Sequence, residues 1–110
     1  MTLRLGALGF LLLSGFIWNT PGEAAEFPGR QKAQQVCAVC HGIDGIGKIP
    51  DAPNLAGESS SYIEKQLKAF RGGERKQEQM SIIAKDLKDQ EIKDLAKWYS
   101  SIKVKVELPN

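Results

Sequence analysis

Both cysteines and the single histidine of the chain fall within five consecutive residues, Cys37-Ala38-Val39-Cys40-His41. On a helix these three side chains stand at i, i+3 and i+4 and so share one face. The C-x-x-C-H spacing is that of covalent c-type haem attachment: two thiols reach the two vinyl groups along one porphyrin edge while the imidazole comes up beneath the iron. Other chemistry fits the same residue types. The two cysteines can close a structural or redox-active disulfide with His41 incidental, although a thioredoxin-like site needs a strand before the motif and none is legible. Zinc wants four ligands, and the chain offers three good ones with methionine as a poor fourth.

Apart from the initiator, Met80 is the only methionine. Iron that moves electrons without binding substrate needs a sixth ligand, and Met opposite His is the pair that raises the reduction potential of c-type haem. A lone methionine also fills gaps in apolar cores. A ligating histidine donates its other ring nitrogen to an acceptor, and the segment from Asp51 to Gly57 lies near enough in the chain to supply one.

Helices must position these groups. Residues Arg30 to Cys40 lack Pro and Gly and can run as one helix, with Pro28 compatible with its first turn. From Gly42 to Gly57 the chain is too rich in Gly and Pro for a regular element, so this is a functional loop or none. A second helix follows to Phe70, with a capping-box spacing from Ser61 to Glu64, the stripe Tyr62, Ile63, Gln66, Leu67 and Phe70, and Gly72-Gly73 as its end. A polar loop then leads into a short helix from Met80 to about Leu87. The last helix repeats Ile92, Leu95, Ala96, Tyr99 and Ile102 at three- and four-residue steps, with Asp89 as its expected cap. The charged tail VKVELPN is expected to be loosely ordered.

The amino terminus speaks to compartment. Arg4 precedes an apolar run from Leu5 to Trp18, then Asn19-Thr20-Pro21-Gly22 and small residues at Ala24 and Ala25. This is the pattern of a secretory signal peptide, residues 1–24, leaving a single domain over 25–110. The run is shorter than the roughly 20 residues that span a bilayer, with an uncleaved anchor as the alternative. Export oxidises free thiols, so Cys37 and Cys40 need a chemical fate, and thioethers supply one. The formal net charge of the chain is +2, unchanged by loss of Arg4 and Glu23. That is too weak for nucleic-acid binding, and no basic stripe with interleaved aromatics is present. A chain of this length without its leader is near the lower limit for an unaided core, which is a further reason to look for a staple.

From Val36 to Ser100 the sequence resembles the class I c-type cytochromes, especially the small soluble bacterial mono-haem proteins and single halves of the soluble di-haem cytochromes. The matching pieces are CAVCHGIDGIG at Cys37 to Gly47, PNLAG at Pro53 to Gly57, YIEKQLKAFRGGER at Tyr62 to Arg75, Met80, and DQEIKDLAKWYSS from Asp89. The resemblance implies an all-α fold of about three to five helices wrapped around one covalent haem c. It implies Cys37 and Cys40 as thioether sites, His41 as proximal and Met80 as distal iron ligand, the Pro53 carbonyl as acceptor for the His41 ring, and Leu55 packed on the haem. Read without the resemblance, Pro53 and Leu55 are equally plain loop and core residues. Two positions depart from the family pattern: Glu58 stands where relatives carry Gln, and Lys88 where a Ser or Thr caps the last helix.

The function implied is one-electron transfer in the bacterial periplasm, without an open iron position and so without enzymatic turnover. The partners implied are redox proteins, either donors or acceptors: a dehydrogenase, an oxidase or a reductase. Lys48, Lys65, Lys68, Arg71, Arg75 and Lys76 could ring a docking face, but scattered charge is also what any solvated surface carries. The alternatives are a haem c subunit held permanently on a multi-subunit dehydrogenase such as a flavocytochrome, a haem enzyme or gas sensor with a displaceable sixth ligand, and a haem-free thiol oxidoreductase.

Overall fold

A computed structural model of the chain describes residues 27–110. The expected signal peptide, residues 1–24, lies outside the described residues. Five helices follow in order, α1 (Pro28–Val36), α2 (Ala38–His41), α3 (Ser60–Gly72), α4 (Glu78–Lys85) and α5 (Asp89–Ser101), and no strand occurs among the described residues. The architecture is the all-α class expected.

Pro28 occupies the first turn of α1, where its fixed φ suits the helix and its missing N–H has no partner to lose. The helix does not run unbroken to Cys40 as its composition suggested. It breaks at Cys37, whose φ of −116° opens the turn. The hydrogen-bond ladder nevertheless passes through: Cys37 N–H donates to the Ala33 carbonyl at 2.9 Å, and the Cys37 carbonyl accepts from Cys40 N–H at 3.2 Å and His41 N–H at 2.9 Å. The shorter-range bond tightens the turn and re-aims α2, and no Gly or Pro marks the joint.

The later helices keep their expected faces and shift their starts. The Ser59 hydroxyl accepts from Tyr62 N–H at 3.3 Å, so the cap of α3 stands two residues before the expected Ser61, and Glu64 pairs with Lys68 one turn on. Ile63, Leu67 and Phe70 are buried while Tyr62 turns outward. Helix α4 starts two residues ahead of Met80, inside the stretch expected to be loop, because the Gln77 side-chain oxygen accepts from Met80 N–H at 2.8 Å. Lys88, not Asp89, is the residue before α5. Lysine has no acceptor, and the Glu91 carboxylate supplies half of a capping box by accepting from Lys88 N–H at 2.9 Å. Asp89 instead holds Arg71 at 2.6 Å, tying the start of α5 to α3.

The core lies where α1 and α3 meet α5. Tyr99, Ile92 and Leu95 are its largest fully buried side chains, each stabilising the fold by on the order of 2 kcal/mol through burial. Ala33 and Gly29 let α1 approach α5 closely. A Cβ at Gly29 would overlap the Asp94 carbonyl, so the two helices touch there backbone to backbone. Lys32 and Glu91 close the same interface with an ion pair at 3.0 Å. The tail beyond Ser101 runs without helix or strand, exposing Val104, Val106 and Leu108.

Candidate functional site

The three reactive residues stand at the joint between α1 and α2 and along α2 itself. Cys37 and Cys40 are half-buried free thiols, and His41, at the end of α2, is 8% exposed. Burial pushes the Cys37 thiol up to about 11, against the opposing pull of the Tyr99 hydroxyl and of Lys32. Cys37 is therefore a protonated thiol at neutral pH rather than a reactive thiolate. The His41 ring meets the Pro53 carbonyl through Nδ1 at 2.9 Å. A carbonyl only accepts, so Nδ1 carries the proton and Nε2 keeps a free lone pair.

The loop that brings Pro53 to His41 is built from its own backbone. Gly42 ends α2 with φ of +74°, a conformation that favours glycine. The Cys40 carbonyl accepts from Lys48 N–H at 2.7 Å, and the Gly45 carbonyl accepts from both Leu55 N–H at 2.7 Å and Ala56 N–H at 3.0 Å. The Asn54 side-chain oxygen accepts from Gly47 N–H at 2.8 Å. Asp44 accepts from Ile46 N–H and pairs with Lys48, which together hold its carboxyl below the usual carboxylate range. Helix α5 secures both ends of the loop. The Tyr99 hydroxyl donates to the Gly42 carbonyl at 3.0 Å, Trp98 Nε1–H donates to the Ile43 carbonyl at 3.2 Å, and Gly57 N–H donates to the Tyr99 carbonyl at 3.0 Å. Burial, followed by the neighbouring Cys37, pushes the Tyr99 phenol up, so it remains a neutral donor.

Of the other expected site residues, Pro53 is exposed on its ring side and contributes its carbonyl, and Leu55 is half-buried against the core. Met80 is half-buried, packs against the same core cluster and lies close to His41. Four of the six cations proposed for docking are engaged within the fold. Lys48 pairs with Asp44, Lys68 with Glu64, and Arg71 with Asp89 and the Leu87 carbonyl, while Arg75 lies over the Phe70 ring and donates to Gln66. The sequence reading did not assign site roles to Trp98, Tyr99 and Asn54. The legible trace of the first two was a pair of aromatics with polar tips, Tyr99 within the apolar stripe of an amphipathic helix and Trp98 next to it in sequence.

The donor set fits covalent haem. Among the described residues no group of three or more His, Cys, Asp or Glu side chains gathers to hold a metal ion, so the motif residues do not chelate by themselves. They present two thiols and one correctly tautomerised imidazole from a single short helix and its leading joint, as porphyrin attachment requires.

An all-helical fold with this arrangement defines a domain that attaches haem c. The family model described as Cytochrome c matches residues 28–103, and the chain belongs to that family. It is 46% identical over 68 residues to cytochrome c-554(548) of Halomonas halodenitrificans, covering 59% of this chain and 82% of that protein. It is 45% identical over 73 residues to cytochrome c4 of Thiocapsa roseopersicina, covering 66% of this chain and 38% of that protein. The crystal structure of reduced recombinant cytochrome c4 from Pseudomonas stutzeri superposes with a TM-score of 0.64 at 35% identity, over 76% of this chain and 47% of that one. The chain thus spans half or less of these cytochromes c4. It is an electron-transfer haem protein with one covalently bound haem c held by the C-x-x-C-H segment.

Proposed function

We propose that the chain is a one-electron carrier of the bacterial periplasm whose iron is held between His41 and Met80. The observation that carries this reading is the buried His41 imidazole, its Nδ1–H fixed on the Pro53 carbonyl and its Nε2 left free, with the Met80 thioether close by. Haem c supplies iron that alternates between ferrous and ferric states. The protein residues do the rest. Cys37 and Cys40 would hold the porphyrin edge, Pro53 orients the imidazole and would raise its basicity, and Met80 would fill the position that an enzyme or gas sensor leaves open. Leu55, Met80 and the core cluster keep water from the site, which lowers the local dielectric and helps set the potential.

The periplasmic reading rests on the amino-terminal pattern of residues 1–24 together with thiols whose fate is thioether formation. Redox partners would meet the molecule at the motif, where Val39, between the two cysteines, is 80% exposed. An interface of this kind is small and transient. The test is optical. Ferric protein from a haem-attaching host should show the weak far-red band of Met sulfur on iron, and the reduced protein should refuse carbon monoxide at neutral pH. Rapid carbon monoxide binding by the wild-type protein would sink the closed-iron reading.

A further inference from the structure

Two adjacent residues of α5 grip the loop that carries the His41 acceptor at both of its ends. Tyr99 donates its hydroxyl to the Gly42 carbonyl at 3.0 Å, and Trp98 donates its indole N–H to the Ile43 carbonyl at 3.2 Å. The Tyr99 carbonyl in turn accepts from Gly57 N–H at 3.0 Å. Gly42 and Ile43 directly follow His41, and Gly57 lies four residues past Pro53. Between these ends the loop is cross-tied through the Gly45 carbonyl to Leu55 and Ala56. The separation of the His41 ring from the Pro53 carbonyl is therefore held from outside the loop, by two side chains at its start and by the Tyr99 backbone carbonyl at its end.

We propose that the Trp98-Tyr99 pair is a positioning clamp that sets the His41–Pro53 hydrogen bond and through it the electron-donating strength of the imidazole. The proposal rests on His41 being the proximal ligand. Tyr99 is 1% exposed, so solvent does not reach its hydroxyl, and deleting that hydroxyl leaves the Gly42 carbonyl with only the local bond from Gly45 N–H at 3.2 Å and no tie to α5. The loop start is then released, the ring bond lengthens, and the imidazole loses basicity. A less basic ligand stabilises ferric iron less, so the reduction potential rises.

The experiment uses haem-loaded wild-type protein, Tyr99→Phe and Trp98→Phe. Both substitutions keep an aromatic ring, and the second is milder because Trp98 is only half-buried. Three quantities are measured: midpoint potential, exchange of the His41 Nδ1–H proton by NMR, and unfolding midpoint in denaturant. The expected result for Tyr99→Phe is a higher potential and about tenfold faster ring-proton exchange, the factor that follows from weakening one buried hydrogen bond. Trp98→Phe should move both in the same direction by less, and it carries the test if Tyr99→Phe fails to accumulate with haem. A fall in unfolding midpoint with potential and ring exchange at wild-type values would overturn the clamp and leave the pair as ordinary anchors. Ferric wild-type protein without iron-shifted His41 ring resonances would overturn the ligand assignment and the clamp together.

Discussion

The two sides of the site are held very differently. On the His41 side, residues 37–57 contain one short helix, yet nearly every turn of the backbone is tied. Carbonyls of Cys40, Gly42, Ile43, Gly45 and Pro53 all accept hydrogen bonds, and three bonds join this segment to α5, two of them on the Gly42 and Ile43 carbonyls. On the Met80 side, α4 is a regular helix with little outside it. It packs on α3, it is capped by its own flanking Gln77, and Ile82 is 68% exposed. Regular secondary structure is therefore a poor guide to rigidity here. The irregular segment is the more heavily tied half and the helix the less tied one, and local stability is expected to follow burial and satisfied backbone groups. Amide exchange should rank the two accordingly, with the loop exchanging through global opening and α4 through local opening.

The largest expected effect acts on the scaffold behind the more heavily tied half. Gly29→Ala puts a Cβ into the Asp94 carbonyl, forces α1 away from α5 and should cost about 3 kcal/mol. Denaturant titration checks this, and a loss below 1 kcal/mol would mean that the two helices part without strain. Met80→Ala is next. It should abolish the far-red band, admit carbon monoxide to the reduced protein and lower stability by about 2 kcal/mol, while the His41 ring signals persist. Loss of the ring signals as well would erase the contrast between the halves. Gln77→Ala removes the side-chain acceptor from Met80 N–H, with an expected cost of about 1 kcal/mol. Its effect should appear as easier displacement of Met80 by imidazole, with loop amide protection unchanged.

The smallest effect is acidic. The carboxyls of Asp44, Asp89 and Glu91 are each held below their ordinary values. Asp44 is lowered chiefly by the Ile46 N–H, Asp89 by Arg71, and Glu91 by the Lys88 N–H. Folded values below unfolded ones mean that the contribution is fully present above the ordinary carboxylate range near pH 4. It is lost as pH falls through the lower folded values. Unfolding midpoints followed from pH 6 to pH 2 should decline gently only in the lower part of that range. Asp44→Asn, on the more heavily tied half, should flatten the decline slightly without altering the spectrum.

What could be read in advance follows from how local each determinant is. The C-x-x-C-H chemistry depends on contiguous spacing, and the apolar stripe of α5 depends on a period of three to four residues, so both stand in the sequence unaided. The Pro53 carbonyl was reached through family resemblance, since proline in a loop carries no acceptor signature of its own. The break at Cys37 was hidden because no Gly or Pro produces it. Gln77 as a cap was hidden because short polar side chains are the usual caps. Trp98 and Tyr99 were read only as part of an amphipathic helix, because their partners at Ile43 and Gly42 are distant in sequence and nothing local announces them. The cations were visible, but pairing among them was not: a string of Lys and Arg looks available for docking until Asp44, Glu64 and Asp89 are placed beside it.

The donors that complete the surroundings of His41 lie 55 and 57 residues further along the chain than their acceptors. Contacts so remote carry the entropic cost of closing a long loop, which the turns within the segment do not. The last turns of α5 supply the Tyr99 hydroxyl that lies against Cys37 and the two side-chain ties that follow His41. With them in place Cys37 is half-buried. The far end of the chain thus forms one wall of the attachment segment, so the fold is closed around its cofactor by residues distant from it in sequence.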